Sequence, residues 1–224
     1  MKKYISYLAS CRMRFAFAAL MMLFCGNILF AQSKNTTEDN LSAAYNTPFS
    51  YSLENETPWT IKNAKGKLIA NGTGSIENQI FAEPGNYTLN IAATPHSNSC
   101  EHDHSPKNLT IAVSPMKMVF DLSSVKFSEN INGGQSAKGI TVTVNADYSS
   151  FDNKTSKYNG SFKTFGVGST ITGKLKNGET TLKPGANTLE FVMDGQAASG
   201  NYIAIDFVDI NGQVQSYGLT KKIQ

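Results

Sequence analysis

Apolar residues recur at every second position in short runs of this chain, as in Tyr87-Thr88-Leu89-Asn90-Ile91, Leu109-Thr110-Ile111-Ala112-Val113 and Ile140-Thr141-Val142-Thr143-Val144. Successive side chains of an extended strand point to opposite faces, so each run buries one face and wets the other. Helical spacing of apolar residues is nearly absent beyond residue 31, and Gly, Pro, Asn and Ser punctuate the runs at short intervals. Together these features predict an all-β chain built from antiparallel β-sandwiches.

The punctuation suggests two domains. Phe49 to Leu53, Trp59 to Lys62, Leu68 to Ala70 and Ile76 to Phe81 precede the first two runs above, and Ser114-Pro115 closes that set. Met118 to Phe120, Ser169 to Leu175, Leu189 to Met193, Ile203 to Phe207 and Val214 to Leu219 join the third. We therefore expect sandwich domains over 46–115 and 116–224. The smaller is marginal as an independent core, because short domains bury a smaller share of their surface. Asn63 to Lys67, Asn177-Gly178 and Asn211-Gly212 read as hairpin connections, since Asn-Gly accepts positive φ at both central turn positions. Pro84-Gly85-Asn86-Tyr87-Thr88-Leu89 has an echo in Pro184-Gly185-Ala186-Asn187-Thr188-Leu189, which fits either duplication or repeated use of a Pro-Gly turn.

Residues 1–31 have the grammar of a signal peptide. Lys2, Lys3, Arg12 and Arg14 precede an apolar run from Phe15 to Phe30, and Ala31-Gln32 suits cleavage. The run is shorter than the roughly 20 apolar residues of a spanning helix, so no transmembrane helix is expected in the mature protein. Leu8-Ala9-Ser10-Cys11 has lipobox chemistry without an apolar run before it, leaving a lipid anchor as an alternative. The polar stretch 32–45 reads as a flexible leader. The expected location is exported: periplasmic, cell-surface or extracellular.

Cleavage would change the charge argument. The whole chain is formally +3, but losing those four basic residues and no acidic ones leaves −1. No arginine occurs beyond Arg14. Without guanidinium forks to grip phosphate or guanine, and without a basic block, nucleic acid is excluded as the expected partner.

All three histidines and the single cysteine beyond Cys25 fall within His96-Ser97-Asn98-Ser99-Cys100-Glu101-His102-Asp103-His104. Imidazole and thiolate suit late first-row divalent ions. In an extended run Cys100, His102 and His104 share one side at about 6.6–6.8 Å per two residues, so the segment must curl before all of them meet one ion. With His96 they make a Cys/His₃ set suited to Zn, with Cu as runner-up, while Glu101 and Asp103 could accept hydrogen bonds from the ligand imidazoles. An intermolecular disulfide or an inert thiol remain alternative fates for Cys100.

No catalytic constellation stands out. A Gly-x-Ser-x-Gly elbow, a phosphate loop and a His-Glu-x-x-His helix are all missing. Met116 and Met118 lie a strand away from the His/Cys segment and read as packing residues. Tyr148, Phe151 and Tyr158 sit among polar turn residues, as on a sugar-binding surface, although hairpin packing explains them equally well. Trp59, in an alternating run, reads as core.

Gly85 to Ile91, with the pattern Gly-x-Tyr-x-Leu-x-Ile, resembles the penultimate strand of immunoglobulin-like and fibronectin-like modules, such as the tandem domains of secreted bacterial proteins. The resemblance covers that strand and its successor. It implies that Tyr87 bonds back to the backbone and that the His/Cys segment joins the last two strands of its domain at one pole. Two functional expectations follow. One is an exported, non-enzymatic protein that binds a transition metal through His96, Cys100, His102 and His104. The other is a cell-surface adhesive or a module binding carbohydrate or protein, without metal.

Overall fold

The computed structural model describes residues 40–54, 56–92, 106–219 and 222–224. Every regular element among them is a strand, and the fold is all-β with several antiparallel sheets. No helix among the described residues is long and apolar enough to cross a membrane.

Seven strands lie before Pro115: β1 (Asn40–Ala44), β2 (Pro48–Tyr51), β3 (Pro58–Asn63), β4 (Leu68–Thr73), β5 (Ile76–Ile80), β6 (Gly85–Ile91) and β7 (Lys107–Ser114). One sheet has the order β1-β7-β6-β3-β4, and β2 pairs with β5 in a second sheet. Alternation sends Ile61, Leu89, Ile111 and Val113 inward, where they join Phe49, Ile76 and Phe81 in one apolar cluster. Trp59 packs against that cluster and spreads over Gly72 on β4, where an added Cβ would come within 2.7 Å of the indole. A glycine is needed there because the ring occupies the side-chain space.

The polar stretch expected as a leader over 32–45 has a different fate from Asn40 onward. Asn40–Ala44 pairs in parallel with β7, and Tyr45 is buried beyond it. Leu41, Ala43 and Tyr45 alternate and reach the core, while the unpaired edge of β7 supplies hydrogen-bonding partners that the polar composition did not reveal.

Nine strands follow Pro115: β8 (Met116–Phe127), β9 (Thr141–Ser150), β10 (Ser156–Tyr158), β11 (Ser161–Phe165), β12 (Thr172–Leu175), β13 (Thr180–Leu182), β14 (Gly185–Asp194), β15 (Ala204–Val208) and β16 (Val214–Gly218). Seven form one antiparallel sheet, in the order β16-β15-β11-β12-β14-β9-β8, and β10 pairs with β13. The large sheet curls until its two edges meet. Gln215 on β16 accepts the Phe120 N–H at 2.9 Å and donates to the Met118 carbonyl at 3.0 Å, so a side-chain amide stands in for a strand partner on β8. Phe120 and Phe207 then pack across the closed interior with ring centroids 5.1 Å apart.

Both Pro-Gly turns open a strand, with Gly85 at φ 130° and Gly185 at φ 95°. Tyr87 donates its hydroxyl proton to the Glu83 carbonyl at 2.8 Å, the backbone bond that the resemblance implied. Asn187 occupies the matching place in the echo and staples Lys183 instead: its Oδ1 accepts the Lys183 N–H at 3.0 Å and its Nδ2 donates to the Lys183 carbonyl at 2.8 Å. The two side chains fix the same kind of corner by different chemistry.

The Asn-Gly turns differ from one another. Asn211-Gly212 joins the paired strands β15 and β16, but only Gly212 adopts positive φ, because the Asp209 carboxylate caps the turn. Asn177-Gly178 turns the chain between β12 and β13, which pair with other strands rather than with each other.

Candidate functional site

The four expected metal ligands, His96, Cys100, His102 and His104, lie outside the described residues. Their flanks are defined. Ile91 is opposite Lys107 in the β6–β7 ladder, so the segment between them connects neighbouring antiparallel strands. Ile91 and Lys107 lie at the pole of the first sheet opposite Pro115. Among the described residues, no group of three or more His, Cys, Asp or Glu side chains is arranged to hold an ion.

A concavity lies where the two cores adjoin. A cleft of about 990 Å³ opens between β1, β2, β5, β6 and β7 on one side and the start of β8 with the β15–β16 turn on the other. One residue, Pro115, separates β7 from β8, which sets the two cores side by side with a gap above the connection. Few polar contacts cross the gap. Lys117 Nζ donates to the Asn46 carbonyl at 3.3 Å, and Gln213 Nε2 donates to Ser42 Oγ at 3.3 Å. Tyr45 and Phe151 add an edge-to-face contact at 5.9 Å.

The cleft has an apolar floor and a polar rim. Phe49, Val113 and Met118 are buried beneath it, whereas Ser50, Asn78 and Asn86 are exposed around it. Asn78 has a φ of 53°, and its backbone N–H donates to Ser50 Oγ at 3.1 Å, which holds the residue in the left-handed conformation. Among the described residues, the side-chain amides of Asn78 and Asn86 make no hydrogen bond, so both remain available to a ligand.

Asp209 sits at the second wall. Its Oδ1 accepts the N–H groups of Asn211 and Gln213, each at 2.8 Å, and burial pushes its carboxyl above the ordinary carboxylate value despite those bonds. Its role is therefore to cap the turn, and the polar rim of the cleft is mainly neutral hydroxyl and carboxamide.

Tyr148 and Tyr158 do not form an exposed sugar platform. Both are buried, with their hydroxyls donating to the Lys154 carbonyl at 3.3 Å and the Val208 carbonyl at 2.6 Å respectively. Burial drives the Tyr158 phenol far above its ordinary range, with Asp209 adding to the effect. Phe151 is half exposed, but its ring engages Tyr45 across the junction. Their placement among Ser, Asp and Asn gave no sign of carbonyl partners elsewhere in the fold.

No family model matches this chain, and no curated protein matches it. Solved structures give distant overlaps. A DUF3823 family protein from Bacteroides ovatus is 13% identical, covering 82% of this chain and 97% of that one at a TM-score of 0.22. A β-glucuronidase from glycoside hydrolase family 2 is 10% identical, covering 80% of this chain and 20% of that one at 0.23. A candidate carbohydrate binding protein from Bacteroides uniformis is 10% identical, covering 82% of this chain and 97% of that one at 0.21. Overlaps at such scores carry no argument about the cleft or its ligand.

Proposed function

We propose that this protein is an exported β-sandwich binding module that takes a neutral, polyhydroxylated ligand of the oligosaccharide class in the cleft between its two cores. The cleft itself carries the reading, because it combines a buried apolar floor with the exposed carboxamides of Asn78 and Asn86. A pyranose has the complementary character, with an apolar C–H face and hydrogen-bonding edges. Small-ligand sites commonly pair apolar walls with a few polar groups that set orientation. The basic and apolar start of the sequence supports export.

Binding of neutral glucose, mannose, xylose and galactose hexaoses, measured by calorimetry, tests this assignment. An Asn78→Gly/Asn86→Ala variant, in which glycine keeps the left-handed backbone at position 78, should bind at least about tenfold more weakly, a loss of ~1.4 kcal/mol, with its thermal midpoint unchanged. Binding to no member of the panel, or equal binding by the variant, would overturn it.

Metal binding through His96, Cys100, His102 and His104 is a second reading, supported by the grouping of all three histidines with Cys100 within nine residues of sequence. Elemental analysis of protein purified under reducing conditions, alongside Cys100→Ser/His102→Ala, tests it. Stoichiometric zinc or copper absent from the variant supports the reading, and no uptake by either protein ends it.

A further inference from the structure

Three of the four large exposed apolar side chains of the second core lie together, away from the cleft; the fourth, Phe151, packs on Tyr45 at the junction. Phe165 is 57% exposed, Val167 77% and Tyr202 57%. Phe165 is opposite Ala204 on β15, and Ala204 is opposite Gly218 on β16, so these three residues form one row across the outer face. Exposed Tyr202, buried Ile203, half-buried Ala204 and buried Ile205 alternate, which keeps Tyr202 on the same side as Ala204. A Cβ added at Gly166 would approach the Tyr202 carbonyl at 2.6 Å, so the turn carrying Phe165 and Val167 lies directly against the Tyr202 segment.

Ala204 and Gly218 leave a low floor beside these side chains. A Cβ added at Gly218 would meet nothing within 4 Å. The neighbouring row is polar: Lys163 is opposite Asp206, Asp206 is opposite Ser216, and Ser216 Oγ donates to Asp206 Oδ1 at 2.5 Å. Lys222 Nζ lies 5.7 Å from the centre of the Tyr202 ring. Aromatic rings thus adjoin a carboxylate, a hydroxyl and an ammonium within two rows of one sheet face.

We propose that the outer face of β11, β15 and β16 is a sugar-binding shelf, with Phe165 and Tyr202 contacting the C–H face of a neutral pyranose and Asp206, Ser216 and Lys163 bonding its hydroxyls. The mixed charges of the polar row disfavour an anionic surface as occupant. Three apolar side chains are also few beside the roughly 20–30 residues that each partner contributes to a standard protein interface. A small ligand with one apolar face and several hydroxyls matches both restrictions. The inference extends the oligosaccharide reading of the cleft but rests on different residues, so either site can fail while the other stands.

Backbone amide NMR of the full mature chain, titrated with the same neutral hexaoses, locates each site separately. The shelf predicts shifts in residues 163–168, 202–206 and 216–218. Phe165→Ser/Tyr202→Ser should weaken those shifts at least about tenfold with unchanged thermal stability, Phe165→Tyr should retain them, and Asn78→Gly/Asn86→Ala should leave them intact. Shifts confined to the cleft would overturn the shelf and keep the cleft reading, whereas shifts confined to the shelf would do the reverse. No shifts anywhere would overturn both, and sugar-independent, concentration-dependent changes at the shelf would replace it with self-association.

Discussion

Gln215→Leu should destabilise the second core by about 2–4 kcal/mol, although leucine is the more apolar residue. Gln215 is 5% exposed and satisfies two main-chain groups of β8, the Phe120 N–H and the Met118 carbonyl. Leucine fills a similar space but leaves both groups without that partner. A buried polar group left unpaired costs about 1–3 kcal/mol, and the added apolar surface offsets part of the total. For a domain near 100 residues, each kcal/mol moves the midpoint by roughly 4–8 °C, so a fall of at least about 8 °C is expected. Urea and thermal unfolding followed by circular dichroism read the second core together with the first. Fluorescence of Trp59, which packs in the first core, reports that half separately and should change less. A variant within about 0.5 kcal/mol of the parent would refute the argument, because the amide could not then be acting as the strand partner that closes the sheet.

Three further perturbations test the construction of the two cores. Burial raises the Asp209 pKa, so its stabilising contribution is complete below the ordinary value of 3.8 and is lost as pH rises through the folded value. Asp209→Asn keeps an acceptor for the Asn211 and Gln213 N–H groups and should gain stability relative to the parent as pH rises from 3 to 7; a relative loss in melting temperature over that range would contradict the sign. Tyr87→Phe removes the 2.8 Å bond to the Glu83 carbonyl and should cost about 1 kcal/mol in urea unfolding, against no change if water replaces it fully. An added Cβ at Gly160 would overlap the Tyr158 ring, so Gly160→Ala should cost about 1–3 kcal/mol, and a neutral effect would show that the ring moves aside freely.

What the sequence revealed follows from the range over which each signal acts. Alternation along β6, β7 and β9 records burial of one strand face, so it was readable residue by residue. The Tyr87 bond was legible through the resemblance of Gly85 to Ile91 to an immunoglobulin-like strand, a pattern that holds locally because its partner, Glu83, is only four residues away. β1 was missed although Leu41, Ala43 and Tyr45 alternate, since Asn, Ser and Ala mask that weak signal and the ladder is completed by β7 far along the chain. The tyrosines show the same limit. Tyr158 bonds the carbonyl of Val208, 50 residues away, and turn composition around it says nothing of that partner.

The cleft and the shelf are further consequences of long-range register. Asn78 and Asn86 reach one rim through different strands, and their usefulness arises when β8 and the β15–β16 turn form the opposite wall. Phe165, Ala204 and Gly218 become a row only through two antiparallel ladders. Gln215 makes the principle clearest: in sequence it is one polar residue in an alternating strand, yet its amide meets Phe120 and Met118 at separations of 95 and 97 residues. A buried glutamine on an inward-facing position is unfavourable by itself, and sheet closure is what supplies its donor and acceptor. The residue that violates the local pattern is therefore the one that closes the global sheet.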